Sequence, residues 1–388
     1  LLKKKIPSPI SVSRDEKLLL LTFLQKLCGI EMQKVVVDIL TPKQARFFQV
    51  IGKKLEKNGF QVLYTTREYS EVTNMLKIVK IKAKPIGRFG ENKLKKAVFS
   101  SERQLKYVLF LSKVNPRLVL SFGSPEAARA SFGLGIPHIM ANDSPHSKFV
   151  MKLTLPLSER LFSPKCIPTS EWVSFGIPFS KITTYDAIDQ AVWLKNIYFN
   201  KIKEAIEEGK RDDFSLVYRP EEFMASYVES SIPNSFLVLQ KAVKKFYEKN
   251  KVKLNLTILA RYSLSSPYAS IGKYANVRIL DSLVDGVQLL LGSRVFVGVG
   301  GTMSGEAALL GVSSVTLSKE SNFVEKYLIK KKLLNKAQSS SELLKFIEDA
   351  MFLSDKEIRK KKKYAFKILS QMEDPSEVIV THLRKNFL

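Results

Sequence analysis

The sequence predicts an α/β protein in which two doubly wound, mostly parallel sheets are joined near residue 200. Three observations carry that expectation. Apolar strand-like runs alternate with segments of helical spacing from Met32 onward. The rhythm restarts after a charged stretch, EEGKRDD at 207–213. At 388 residues the chain also exceeds one ordinary hydrophobic core.

In the first half, Lys34–Leu40 reads as a strand and Pro42–Asn58 as a helix that Gly59 caps. Phe60–Thr65 is the next strand, and 72–82 repeats helix then strand. KPIGRFGENKLKK, at 84–96, reads as a loop with two glycines, followed by a helix to Val114. The turn Asn115–Pro116 leads into the strand RLVLSFG, then the helix Pro125–Leu134 and the strand Pro137–Ala141. In the second half, 190–210 reads as a connecting helix. FSLVYR, LNLTILAR, ANVRIL and Arg294–Val299 read as strands, with helices at 231–250 and near 283–291. The tail carries three helix starts. Ser339 with Glu342 and Ser354 with Glu357 fit capping boxes, and Asp374-Pro375-Ser376-Glu377 places Pro in a first turn. The expected division is an N-terminal extension at 1–31, a first Rossmann-like unit at 32–195, and a second at 196–388 that includes the tail helices. Within the extension, Leu18–Leu27 reads either as a short amphipathic helix or as a loosely docked leader.

Composition narrows the class. No apolar run reaches the ~18–20 residues a membrane-spanning helix needs, and no small-residue cleavage site follows Leu18–Leu24. Two cysteines, Cys28 and Cys166, make no disulfide framework, so the expectation is cytoplasmic, with peripheral membrane contact. The formal charge is +26, and residues 1–100 hold 21 Lys/Arg against 8 Asp/Glu. That excess favours phosphate-rich partners, whether nucleic acid, an anionic membrane or phosphorylated small molecules. A Lys-rich surface of thermophile type is the alternative cause. Ten Lys/Arg fall between Lys77 and Lys106, around PIGRFG, with Phe89 and Val98–Phe99 as apolar neighbours. This stretch reads as an anionic-membrane or lipid-linked-acceptor surface, or as a solvated helix face. Nucleic acid is disfavoured, because no RNA- or DNA-binding motif is present.

The most informative motif is SRVFVGVGGTMSGEAALLGVSS at 293–314, a strand that breaks into glycines before a helix. Bare amides at a helix N-terminus suit a phosphate, and ligands in open α/β sheets bind beyond the carboxyl ends of the strands. It is not GxGxxG, because Met303 stands where the last glycine would be, and no GK[ST] follows. A nucleotide cradle and a tight structural turn, with Glu306 as a first-turn acid, both fit the spacing.

GVGGTMSGEAALLG resembles the nucleotide-binding segment of GT-B glycosyltransferases and sugar epimerases. That resemblance implies diphosphate contacts at Gly300, Gly301, Thr302, Met303 and Ser304, and a ribose contact at Glu306. It also implies a GT-B fold whose C-terminal helices return to the first domain. VVVDILTPKQARFF, YTTREY, PIGRFG, SFGSPEAARASFGLGIP and NDSPHS together resemble an uncharacterised, largely archaeal domain-of-unknown-function family. Its members are similar to GT-B proteins and UDP-N-acetylglucosamine 2-epimerases. The chain departs from the epimerases at two places. Tyr218 stands where they carry a His, and Gly123-Ser124-Pro125 where they carry Gly-Asp-Thr.

Chemistry is then expected from the facing domain, where a general base must take the acceptor proton. Asp143 and His146, after a later strand, are the candidate bases, with Asp143 alternatively a turn former. Thr41, Lys43, Arg67, Gly87 and Gly90 are the acceptor-side candidates. Arg219 and Arg261 follow strands of the second half and could reach a phosphate. Asp38, between Val37 and Ile39, reads as a buried structural carboxylate. No DxD motif and no Cys/His cluster is present, so neither a metal nor a cofactor is expected beyond the nucleotide sugar as substrate. The expected function is a metal-independent GT-B-like glycosyltransferase using a nucleotide sugar, UDP-linked by preference. The alternatives are a nucleotide-sugar 2-epimerase and a non-catalytic binding scaffold.

Overall fold

The computed structural model describes residues 32–208, 214–221, 233–260, 266–281 and 283–388. The extension at 1–31, with its possible helix, lies outside them. Among the described residues, thirteen strands form two parallel sheets. The first comprises β1 (Lys34–Ile39), β2 (Gln61–Glu68), β3 (Ala83–Arg88), β4 (Leu118–Ser121), β5 (His138–Ala141), β6 (Arg160–Pro164) and β7 (Ile182–Tyr185). Its spatial order is β3-β2-β1-β4-β5-β6-β7. The second comprises β8 (Ser215–Arg219), β9 (Leu254–Leu259), β10 (Ala275–Leu280), β11 (Val295–Gly298), β12 (Ser313–Thr316) and β13 (Asn335–Lys336), in the order β10-β9-β8-β11-β12-β13.

The uninterrupted apolar strands follow from this layering, since a parallel sheet is covered on both faces. Val35 and Val37 pack with Phe47, Ile51 and Val72 on one side of the first sheet. Val36, one step out of phase, packs with Tyr107, Leu111 and Ala127 on the other. Asp38 is fully buried in β1, where Arg103 grips both its oxygens at 2.7 and 2.9 Å and Thr65 donates at 2.7 Å. It is the structural carboxylate that its apolar neighbours imply.

The tail helices bridge the two halves. Helix Ser340–Met351 packs on helix Asn234–Asn250 beside the second sheet, and helix Pro375–Asn386 returns to helix Pro42–Glu56 beside the first. There Lys54 pairs with Asp374 at 2.9 Å and Glu377 at 2.6 Å. The tail caps are present in detail. Ser354 and Glu357 form a reciprocal box, Asp374 accepts from the Ser376 amide, and Ser339 accepts from the Glu342 amide. Glu342 itself accepts from Gln338 rather than completing the box.

Several expectations need correction. PIGR is strand rather than loop: β3 contains it, and Gly87, at φ 74°, sits where the β2–β3 register shifts. The connecting helix is two, Ala191–Asn196 and Phe199–Glu208. The helix expected near 283 starts at Gly286, behind the N-cap Asp285. No helix among the described residues is long and apolar enough to cross a membrane.

Candidate active site at the strand ends

Each sheet reverses its strand order once, between β1 and β4 and between β8 and β11. Loops leaving such neighbours diverge to opposite faces and open a crevice beyond the strand ends. A cavity of about 490 Å³ opens at the first reversal, lined by Thr41, Lys43, Phe122 and Gly123 among others. A second, of about 840 Å³, takes walls from both halves, including Gly300–Thr302 after β11 and Asp143–His146 after β5.

The glycine-rich turn shapes the larger cavity. Gly300 and Gly301 hold φ of 82° and 83°, which a side chain would strain. Helix Thr302–Leu309 begins at Gly301 with no side-chain cap, leaving its first amides to whatever enters. Thr302 and Ser304 line the cavity, but the buried Ser304 hydroxyl already donates to the Gly300 carbonyl at 3.0 Å. Met303 turns away, its methyl 3.2 Å from where a Gly286 Cβ would stand.

Glu306 corrects the first-turn reading. It is the fifth helical residue, only 3% exposed, and accepts from the Trp193 indole at 2.9 Å. Burial pushes its carboxyl up to about 7, although nearby Arg46 pulls the other way. Arg46 in turn donates to Tyr198 at 2.6 Å and to Asp285 at 2.9 Å. The carboxylate beside the turn is Glu325 instead. Its Oε1 lies 3.6 Å from the position of a Gly300 Cβ, and it accepts from Thr316 at 2.7 Å. Sequence reasoning missed it, although Asn322-x-x-Glu325 spells the capping box found there.

Lys43, Asp143 and Ser144 line both cavities. The Lys43 ammonium bridges Asp143 at 2.5 Å and the fully buried Asp189 at 2.7 Å, and lies 4.5 Å from the Phe122 ring centroid. Ser144 donates to Asp143 at 2.9 Å, and Tyr185 to Asp189 at 2.5 Å. Burial opposes all three charges with different outcomes. At Lys43 the two carboxylates outweigh it and raise the pKa. At Asp143 Lys43 outweighs it and lowers the pKa, whereas at Asp189 burial prevails and pushes the carboxyl up to about 6. Asp189 escaped sequence reading because only the fold brings it to Lys43.

The remaining candidates divide. Thr41, Arg67 and Gly90 line the smaller cavity with Lys43, and exposed His146 lines the rim of the larger. Gly87 instead packs against the Arg103 side chain, 2.9 Å from a Cβ placed there. Arg219 donates to the Leu259 carbonyl at 3.3 Å and lines neither cavity. Arg261 lies outside the described residues.

A family model described as "Protein of unknown function (DUF354)" matches residues 33–386. The chain belongs to this family. The uncharacterized protein MJ0665 of Methanocaldococcus jannaschii is 28% identical over 323 residues, spanning 81% of this DUF354 chain and 91% of that relative. Among solved structures, UDP-GlcNAc 2-epimerase from Neisseria meningitidis bound to UDP-GlcNAc superposes with TM-score 0.65 at 16% identity, covering 91% of this chain and 100% of that one. The M. jannaschii UDP-GlcNAc 2-epimerase in complex with UDP-GlcNAc and UDP gives 0.66 at 15%, with coverages of 91% and 100%. The glycotransferase of kitacinnamycin gives 0.60 at 11%, with coverages of 92% and 100%. The DUF354 chain therefore has a GT-B-like fold, shared with epimerases and glycosyltransferases. Its Tyr218 is fully buried and hydrogen-bonded to Ser235 at 2.5 Å.

Proposed function

We propose that this chain transfers a sugar from a nucleotide sugar, UDP-linked by preference, to a separate acceptor. The observation that carries this reading is the position of Asp143, in the wall common to two cavities. A donor with its diphosphate on the Thr302–Ser304 amides would occupy the larger cavity, and an acceptor the smaller. The acceptor oxygen bonds to the anomeric carbon as the bond to the diphosphate breaks. The hydroxyl proton passes to Asp143, and the departing negative charge falls on the helix N-terminus. Lys43 and Ser144 hold the Asp143 carboxylate in place. No metal takes part in this scheme, so activity is expected to persist in EDTA. An epimerase uses one substrate and needs an acid/base pair at C2. The burial of Tyr218 argues against a pair there.

The test is to incubate the protein with UDP-sugars and candidate acceptors, following UDP release and the sugar's stereochemistry. Acceptor-dependent UDP release supports transfer. Epimer formation without acceptor would replace it with the epimerase reading.

We also propose that the acceptor side docks on an anionic membrane. Phe89 and Phe99 line the smaller cavity, so they are not the outward apolar contacts that the sequence offered. Helix Lys93–Val114 instead exposes Leu94 (74%), Val98, Leu105 and Leu109, spaced to share one face. Exposed Lys95, Lys106 and Lys113 flank that stripe. Helix Lys148–Thr154 adds Phe149 (85%) and Leu153, which directly follow exposed Lys148 and Lys152. Apolar side chains among lysines complement anionic lipid.

A further inference from the structure

The smaller cavity contains more positive charge than the transfer scheme uses. Lys43 is taken by Asp143 and Asp189, and Arg103 by Asp38 and by Glu126 at 3.0 Å. Arg67, Arg88 and Lys96 line the same cavity, and among the described residues none of them is in an ion pair. Each faces an aromatic ring instead. The Arg67 guanidinium is 4.8 Å and the Lys96 ammonium 5.4 Å from the Phe89 centroid, and the Arg88 guanidinium is 3.9 Å from that of Phe99. A ring face steadies a cation without neutralising it. The Arg67 Nε is buried with no hydrogen-bond partner. Burial depresses the Arg67 pKa, the Arg103 charge adding to it and Glu126, Asp38 and Tyr69 opposing it. Gly90 lets its turn pack on the first turn of helix Lys93–Val114, where a Cβ would clash with the backbone of Lys95 and Lys96.

We propose that Arg67, Arg88 and Lys96 form a phosphate subsite, so that the acceptor is a phosphate ester or diphosphate. This rests on the transferase reading and adds the acceptor's chemical class. A phosphomonoester or diphosphate brings two or more negative charges to three cations, and guanidinium forks match phosphate oxygens. A lone carboxylate would leave most of that charge unmatched. A volume of about 490 Å³ lies within the range of small-molecule sites and accommodates a sugar-sized group beside the phosphate. The phosphate belongs either to a soluble sugar phosphate or to a lipid headgroup, and both present the same oxygens.

The experiment measures inorganic pyrophosphate binding by calorimetry with UDP already saturating, so that only a second site is read. It compares the wild type with Arg88→Gln/Lys96→Gln and with Arg67→Gln. The expected result is a second-site affinity weakened about tenfold or more in the variants. UDP-induced thermal stabilisation should be unchanged, which also shows that the variants fold. Absence of pyrophosphate binding in the wild type, or equal binding by the variants, overturns the subsite and leaves the nucleotide reading standing. Loss of UDP stabilisation in the wild type overturns the nucleotide reading instead. Competition by glucose 1-phosphate supports a soluble acceptor. Variant-sensitive binding to phosphatidic acid vesicles, with no such competition, supports a lipid one.

Discussion

Trp193 donates its indole N–H to Glu306 at 2.9 Å, joining the connector between the two sheets to the helix behind the glycine-rich turn. Both groups are buried, and Arg46 extends the contact to helix Pro42–Glu56. A carboxyl held near 7 rather than its ordinary 4.5 binds its proton more tightly in the folded state. Stability from this group is therefore fully present below about pH 4.5 and is lost as pH rises through about 7. The effect is bounded at roughly 3 kcal/mol. Glu306→Gln should flatten the Tm profile between pH 5 and 8, while Glu306→Ala should lower Tm throughout by stranding the indole. A slope equal to wild type in the Gln variant would place the titration elsewhere.

Asp143→Asn keeps the size of the group that Lys43 and Ser144 hold but removes its basicity. Turnover should fall on the order of 10²- to 10⁴-fold with little change in UDP affinity. His146→Ala, at the exposed rim, should cost much less. The opposite ranking in steady-state kinetics would move the base to His146.

Gly301 combines φ 83° with ψ −173°, a region open almost only to glycine. Gly301→Ala should destabilise by about 1–3 kcal/mol and abolish UDP-induced thermal stabilisation. Wild-type UDP response from a folded Ala variant would show that the turn is not the diphosphate cradle.

Leu105→Glu/Leu109→Glu should lift the protein off phosphatidylglycerol vesicles in a flotation assay, with solution activity on a soluble acceptor intact. Equal flotation would exclude this face.

Local signals in the sequence were reliable where one short segment determines the outcome. The apolar run of β1, the Gly59 cap and the tail caps each needed only a few neighbouring residues. β6 and β7, reading RLFSP and ITTY, went unread because five and four residues with Ser, Pro and Thr show no clear period. The site was half legible. The glycine-rich turn announced itself, and Asp143 stood out in a polar loop. Asp189 and Trp193 acquire meaning only from Lys43 and Glu306, remote in sequence and adjacent only after folding. Glu306 looked like a first-turn acid because one residue of helix phase separates an exposed position from a buried one.

The return of helix Pro375–Asn386 to helix Pro42–Glu56 has a consequence for biosynthesis. Ile379, Val380 and Leu383 share a core with Phe47 and Ile51, so a ribosome makes one wall of that core long before the other. Until helix Pro375–Asn386 has been made, the early half exposes an apolar face awaiting its cover, a period in which chaperones have something to bind. A stop codon before Pro375 would spare every residue of both cavities and still leave that face open. Such a product should be lost to aggregation or proteolysis before its chemistry could be assayed.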